Sequence, residues 1–335
     1  MPRRCPRCAT SGPATKWPAT SPSGVDGPHA ALGGLHRPPE YPELDADWPL
    51  QRAALADAGL DARAVVWSDP GVDWASFDLV VANGVWDYVH RPEAFLRWVE
   101  QVGAEPGVRL VNAPATLRWN LDKRYLHDLE AAGVPVVPTT RVEPGDAVGG
   151  VPLPDGEIVV KPAVSGGGFS TARYEPHRHE AARAHLTALT SSGRAALVQR
   201  YEAAVDREGE TGLVFLGGAF SHAVRKEPMI RRGTGPRPSL IENQVVTAST
   251  VTPAQLELGR RALAAAEAWG GPATYARVDT VHAGDGTPVL LELELLDPVL
   301  FLTTDPTAAE RFARVLATCA GAVPPGSPGS GDERP

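Results

Sequence analysis

RVDTVHAGDGTPVLLELELLDP, residues Arg277 to Pro298, is the stretch on which the reading of this chain turns. Gly284, Asp285 and Gly286 break it into two runs, so the expectation is a hairpin with strands over Tyr275–His282 and Pro288–Leu296. Successive side chains on a strand point to opposite faces. Arg277 and Asp279 therefore share one face of the first strand, and Glu292 and Glu294 share one face of the second. Leu291, Leu293 and Leu295 are expected to face the other way, into a core. If the register brings the polar faces together, Asp279, Glu292 and Glu294 form a carboxylate cluster. Such a cluster repels itself unless a hard cation sits in it, and Mg²⁺ is the usual occupant beside nucleotide phosphates. A strand with an ordinary solvated acidic face has the same pattern, and the rest of the chain has to separate the two readings.

With 335 residues the chain is long enough for about two domains with cores of their own. A formal net charge of -8 argues against a general polyanion binder, so no nucleic-acid partner is expected. No apolar run is long enough to span a bilayer and the first residues hold no apolar signal core, so no membrane partner is expected either. Three cysteines do not make a disulfide framework and fit a reducing, cytoplasmic location. Cys5 and Cys8 form a CxxC, but no second pair follows to complete a tetrahedral zinc site.

Residues 1–38 are rich in Pro, Gly, Ala and Ser without hydrophobic periodicity and read as a disordered extension; the tail 323–335 reads the same way. From Trp48 to Asn112 helical and strand patterns alternate. The helix expected over Arg91–Val102 sets Phe95, Trp98, Val99 and Val102 at helical spacing, between short strands at Ala64–Trp67, Phe77–Ala82 and Val108–Asn112. This alternation indicates a parallel, doubly wound sheet. Such a domain opens with a strand. Here that place is taken by GGLHRPPEYPEL, residues 33–44, whose Pro38, Pro39 and Pro42 make a poor strand, so the first strand is expected to be missing. Downstream, Glu157–Lys161 and Ala195–Gln199 read as strands. Glu210–Leu216 and Ala219–Arg225 read as a hairpin across Gly217-Gly218, and Pro253–Trp269 as a long helix.

Lys161 ends an apolar strand, where a buried ammonium needs an anionic partner. Ser165, Gly166, Gly167 and Gly168 follow it. Glycines let backbone N–H groups approach a phosphate closely, although a flexible turn has the same composition, and the spacing is not that of a P-loop. Val198–Glu202 reads either as a hinge meeting a purine through its backbone or as a plain edge strand. Glu210, Arg225 and Lys226 lie on the next hairpin; an arginine there would neutralise charge on a transferring phosphate, and surface charges look the same.

The order is the specific feature: lysine, a second lysine with a glycine loop, a hinge, an arginine, then Asp…Glu-x-Glu. It resembles the ATP-grasp superfamily over about residues 120–320. Within that superfamily it is most similar to the prokaryotic glutathione synthetase-like group, and in detail to the cyclo-ligases that close O-ureido-D-serine. VWDYVHRPEAFLRWVE, RWNLDKRYL, VVKPAVSGGG, DREGETGLVFLGGAFSHAVRK and the hairpin continued to DPVLFL carry the likeness.

The resemblance implies an α+β ATP-grasp fold, with a small subdomain at 120–198 and a large one at 199–322 clamping ATP, preceded by a Rossmann-like α/β domain at 39–119. It implies that Lys123 and Lys161 hold ATP phosphates with Ser165 to Gly168 closing over them. Gln199 and Tyr201 would flank adenine, Asp206 would take the ribose, and Asp279, Glu292 and Glu294 would bind Mg²⁺ (or Mn²⁺). Arg225 and Arg277 would face the γ-phosphate and an acyl-phosphate, and Trp86, Asp87 and Tyr88 would border the substrate pocket. The implied reaction is ATP-dependent joining of a small-molecule carboxylate, or a ureido carbonyl, to an amine. Related ligases are often dimers or tetramers, which makes a homo-oligomer the expectation. A phosphotransferase on the same scaffold and an ATP-binding protein that no longer catalyses are the alternatives, the second motivated by the missing first strand.

Overall fold

A computed structural model describes residues 29–33, 47–239 and 244–321 of the chain. The disorder expected for most of residues 1–38 and for 323–335 falls outside the described residues, as does the Cys5–Cys8 motif.

The first sheet is wholly parallel and holds β1 (His29–Gly33), β2 (Asp61–Val65), β3 (Leu79–Ala82) and β4 (Arg109–Val111) in the order β2-β1-β3-β4. The missing first strand is therefore a misreading. The segment HAALG pairs in parallel with both β2 and β3 and occupies an interior position of the sheet, inside the stretch expected to be an extension. Five residues without a β-branched side chain, set among prolines and glycines, carry too little local signal; only pairing to strands more than 25 residues downstream reveals them. With β1 present, the reason for suspecting an incomplete scaffold falls away.

Around this sheet pack α1 (Trp48–Asp57) and α2 (Pro92–Gly103). Phe95, Trp98, Val99 and Val102 of α2 are buried against Trp67, Phe77, Val80 and Leu110. After β4 come two short helices, α3 (Pro114–Asn120) and α4 (Tyr125–Ala131), with a break between them in which Lys123 is buried.

The second sheet is antiparallel: β5 (Thr139–Val142), β6 (Ile158–Pro162), β7 (Ala172–Tyr174) and β8 (Ala196–Arg200), in the order β5-β8-β6-β7, covered by α5 (His179–Ser191). After the short α6 (Val205–Glu208) comes the third sheet. It comprises β9 (Glu210–Leu216), β10 (Ala219–Lys226), β11 (Val246–Ser249), β12 (Tyr275–His282) and β13 (Pro288–Glu294), ordered β11-β10-β9-β12-β13. The helix α7 (Pro253–Ala266) opens on a capping box between Thr252 and Gln255. The last helix, α8 (Ala308–Cys319), buries Phe312 and Leu316 in one core with Leu55, Leu79, Val111, Val214 and Tyr275, joining the first sheet to the third. No helix among the described residues is long and apolar enough to cross a membrane.

The hairpin β12–β13 is held from the first domain by its backbone. Tyr275 donates its hydroxyl to the Ala82 carbonyl at 2.9 Å. Asn112, at the end of β4, donates to the carbonyls of Tyr275 and Leu295 and accepts from the Thr274 amide. Asn120 donates to the Leu293 carbonyl and accepts from the amides of Leu295 and Leu296. Both asparagines are buried, so truncation leaves polar backbone groups without water or partner. We expect Asn112→Ala to lower the unfolding free energy in urea by about 3 kcal/mol. A loss under about 0.5 kcal/mol would show that these bonds do not carry the junction.

Candidate active site

The register of β12 on β13 sets Arg277 opposite Glu294 and Asp279 opposite Glu292. The first is a cross-strand ion pair; the second sets two carboxylates side by side on the same face, which repel unless cations stand among them. One carboxylate oxygen from each of Asp279, Glu292 and Glu294 lies within 4.8 Å of the others. A bulge directly after Asp279 shifts the pairing so that Leu290, not Leu291, faces Thr280. It also corrects one expectation about the leucines. Leu293 and Leu295 enter the core with Tyr125 and Leu126, whereas Leu291 packs on a separate small cluster with Val137 and Val281 and lines the cleft.

The chain supplies its own counter-charges to the cluster. Arg277 donates to both oxygens of Asp279, at 2.9 and 3.0 Å, and also to Glu294. Lys226 Nζ sits 2.8 Å from Asp279 and 2.8 Å from Glu210. Lys123 Nζ lies 2.7 Å from Glu292 and donates to the Ser165 carbonyl. Lys161 is buried at the end of β6 and lines the same cleft; no ion-pair partner within direct reach is seen for it among the described residues. The balance is four cations (Lys123, Lys161, Lys226, Arg277) against four carboxylates (Glu210, Asp279, Glu292, Glu294).

This arrangement shifts the titration of its members. Burial pushes the Asp279 carboxyl up, but Arg277 and Lys226 outweigh it and hold it down to about 2. Glu292 is likewise pushed up by burial and brought down to about 2 by Lys123 and Lys161. Burial pushes Lys161 down, with Glu292 opposing. Glu294 goes the other way: burial raises it, Arg277 opposes, and repulsion from Glu292 and Asp279 adds to the rise, to about 7. Its side chain retains 28% exposure, which opens into the cleft rather than onto the outer surface, so the enclosed environment decides the direction.

The cleft has a volume of about 480 Å³, within the range of small-molecule sites. All three sheets border it. Lys123, Lys161, Ser165, Gly166, Gly167, Gly168, Gln199, Tyr201, Arg277, Glu292 and Glu294 line it, and so do Trp86, Asp87 and Tyr88 from the turn after β3. Asp279, only 1% exposed, lies beneath this lining, capped by Arg277 and Lys226. Gln199 is tied through its amide to Thr139 of β5. Asp87 accepts from Trp67 and Arg91, and so anchors the turn to the first domain.

Two expected site residues are turned away. Arg225 points to the opposite face of β10 from Lys226; it donates to the carbonyls of Glu208 and Arg207 and pairs with Glu227, and it does not line the cleft. Strand alternation forces this choice: once Lys226 pairs with Glu210 across β9 and β10, its neighbour must face outward. Asp206 also stays outside. Arg173 grips it with two bonds of 2.7 and 2.8 Å and holds it down to about 2, and Tyr201 donates its hydroxyl to it. Arg173 lies 3.4 Å from the centre of the Tyr201 ring, so Asp206 fixes a wall of the cleft instead of offering free acceptors to a ribose. Lys226, Glu210 and Asp297 line the cleft without having been expected there, and Glu202, at the end of the expected hinge, lines it too. For Lys226 a signal existed, since it follows Arg225 directly and only one of the two can face the carboxylates.

The basic loop at 231–239 is seated on the second sheet. Arg232 pairs with Glu157 at 2.7 Å, and the Arg237 carbonyl accepts from the Ser170 amide. Met229, Ile230, Pro238 and Ser239 line the cleft.

Comparison with known proteins gives the following. Residues 35–112 match the family model described as D-cycloserine synthetase DcsG, N-terminal domain. The cycloserine biosynthesis protein DcsG of Streptomyces lavendulae is 39% identical over 285 residues, which cover 82% of this chain and 94% of that one. The crystal structure of D-cycloserine synthetase DcsG superposes with a TM-score of 0.79 at 35% identity, covering 87% of this chain and 99% of that one. The ATP-grasp ligase PsnB, complexed with minimal precursor, Mg and ADP, shares the fold with a TM-score of 0.57 at 16% identity, covering 90% of this chain and all (100%) of its own.

The three carboxylates suit a hard divalent cation in donor type and spacing, provided Arg277, Lys226 and Lys123 give way. Because the raised Glu294 holds a proton below about pH 7, a metal has to displace it, and affinity falls as pH falls. We expect calorimetric titration with Mn²⁺ to show affinity climbing up to about tenfold per unit between about pH 5 and 7 and levelling off above. Glu294→Gln is expected to flatten the climb. Affinity independent of pH across that window would contradict the assignment.

Proposed function

Because this chain belongs to the D-cycloserine synthetase family of ATP-grasp ligases, we propose that it joins a small-molecule carboxylate, or the carbonyl oxygen of a ureido group, to an amine at the expense of ATP. The observation carrying this reading is the convergence of Lys123, Lys161, Lys226 and Arg277 with Asp279, Glu292 and Glu294 in one cleft bordered by a glycine loop.

The chain's own residues suggest a sequence of events. In the free protein Lys123 and Lys226 are paired with Glu292 and Asp279. A triphosphate entering under Ser165 to Gly168 would draw these lysines, with Lys161, onto its phosphates, and Asp279, Glu292 and Glu294 would be the residues to hold Mg²⁺. Bound there, Mg²⁺ would neutralise phosphate charge and help align the transferring group. Gln199 and Tyr201 flank the base. Arg277 faces the γ-phosphate, the role first assigned also to Arg225, and Lys226 takes that second position. The substrate oxygen attacks the γ-phosphorus and ADP leaves; the amine then attacks the acyl carbon and phosphate leaves. Charge neutralisation and positioning are asked to supply most of the rate. Enclosure by the glycine loop and the 231–239 loop keeps water from the acyl-phosphate. Trp86, Asp87 and Tyr88 border the acceptor. We divide the chain as expected from sequence, at about residues 120 and 199, with the first domain extended to include β1, and place it in the cytoplasm.

The test is incubation with ATP, Mg²⁺ and a panel of small carboxylates and ureido compounds, with and without hydroxylamine. The expected outcome is ADP release, with a hydroxamate trapped when hydroxylamine is present. Glu292→Gln should lower kcat by about 10²- to 10³-fold with the fold intact. A stable phosphorylated product with no trapped acyl group would instead identify a phosphotransferase.

A further inference from the structure

Three adjacent glycines leave a loop with much freedom to lose, so the placement of Gly166 to Gly168 has to be imposed from outside. Gly167 and Gly168 have left-handed φ values of +58° and +72°, which favour glycine on backbone grounds alone. Gly166 is not among the left-handed glycines, and its own backbone does not require the residue. Its neighbour does. A Cβ at 166 would stand 3.3 Å from the Tyr88 hydroxyl oxygen and 3.6 Å from Val89 Cγ1.

Two more contacts join the same segments. Phe169, at the end of the glycine run, has the His90 ring edge-on at 4.9 Å and the Arg194 guanidinium 5.4 Å from its centroid. Arg194 in turn donates to the Val89 carbonyl at 3.0 Å. Tyr88, Val89 and His90 therefore engage the loop at consecutive positions, while Trp86 and Tyr88 of the same turn line the cleft with Asp297.

Building on the ligase reading, we propose that Tyr88 is a positioning residue for the phosphate loop. Its hydroxyl stands close against the space a side chain at 166 would take, so the loop's place over a bound triphosphate would be set by the substrate-bordering turn of the first domain. Movement of that turn on filling of the acceptor pocket would then be felt at the phosphates. The first glycine in the run is favoured by the closeness of a side chain nearly 80 residues earlier in the chain rather than by its own φ.

Hydrogen exchange read by mass spectrometry on the nucleotide-free full chain tests this without any need for turnover. Peptides spanning 163–172 are compared in the wild type, Tyr88→Phe, Gly166→Ala and the double variant, with 210–226 as the control for global loosening. Each single substitution is expected to speed exchange in 163–172 about three- to tenfold and leave 210–226 unchanged. The double variant is expected to fall well short of the product of the two, because without the hydroxyl a Cβ at 166 meets the ring carbon at 3.8 Å, an ordinary contact. In turnover, Tyr88→Phe should raise KM for ATP more than it lowers kcat. Unchanged exchange in Tyr88→Phe, or two single effects that simply multiply, would overturn the proposal. A wild type that consumes no ATP with any substrate would count against the ligase reading, and the exchange data would still decide this one.

Discussion

Four cations and four carboxylates share the floor of one cleft, and neither set could be buried there without the other. Removing an ion from water costs several kcal/mol that only a well-placed partner offsets. Lys226, 4% exposed, has that partner twice over in Asp279 and Glu210. Arg277 has it in Asp279 and Glu294. The compensation fixes the register of β12 on β13 more tightly than the apolar face does, because a slip of one residue would bury leucines against lysines and leave Asp279 alone. On the proposed reading it would also prepare the site for exchange, with triphosphate and divalent cation bringing opposite charges that take over from the internal pairs.

The rest of the architecture serves to present that floor. The third sheet carries Glu210, Lys226 and the hairpin; the second brings Lys161 and the glycine loop; the α3–α4 break turns in Lys123. The first sheet contributes the turn after β3, at the end of its strands where open α/β sheets generally leave a crevice. Asn112, Asn120 and Tyr275 fasten this sheet to the hairpin through backbone groups, so its position relative to the carboxylates does not depend on surface contacts alone.

What could be read from sequence followed locality. Strict alternation around Asp279, Glu292 and Glu294, and an apolar strand running into Lys161 and a glycine run, are short-range patterns, and the structure brings those residues together. β1 was illegible because its strand character comes from two partners far along the chain. The bulge after Asp279, which moves Leu291, leaves no trace in an alternating pattern. The chemistry of arginine points to Arg225, whereas strand parity brings Lys226 to the carboxylates. Nothing in the sequence near Asp206 announces that Arg173, 33 residues away, holds both its oxygens.

The most direct measurement is the anomalous difference map of crystals grown with Mn²⁺ and a non-hydrolysable ATP analogue. The expected result is a metal peak among the carboxylates of Asp279, Glu292 and Glu294, with Lys123 and Lys161 turned onto the phosphates. A nucleotide lying elsewhere, or one bound in the cleft while Lys123 stays on Glu292 and no metal peak appears between the three acids, would contradict the account.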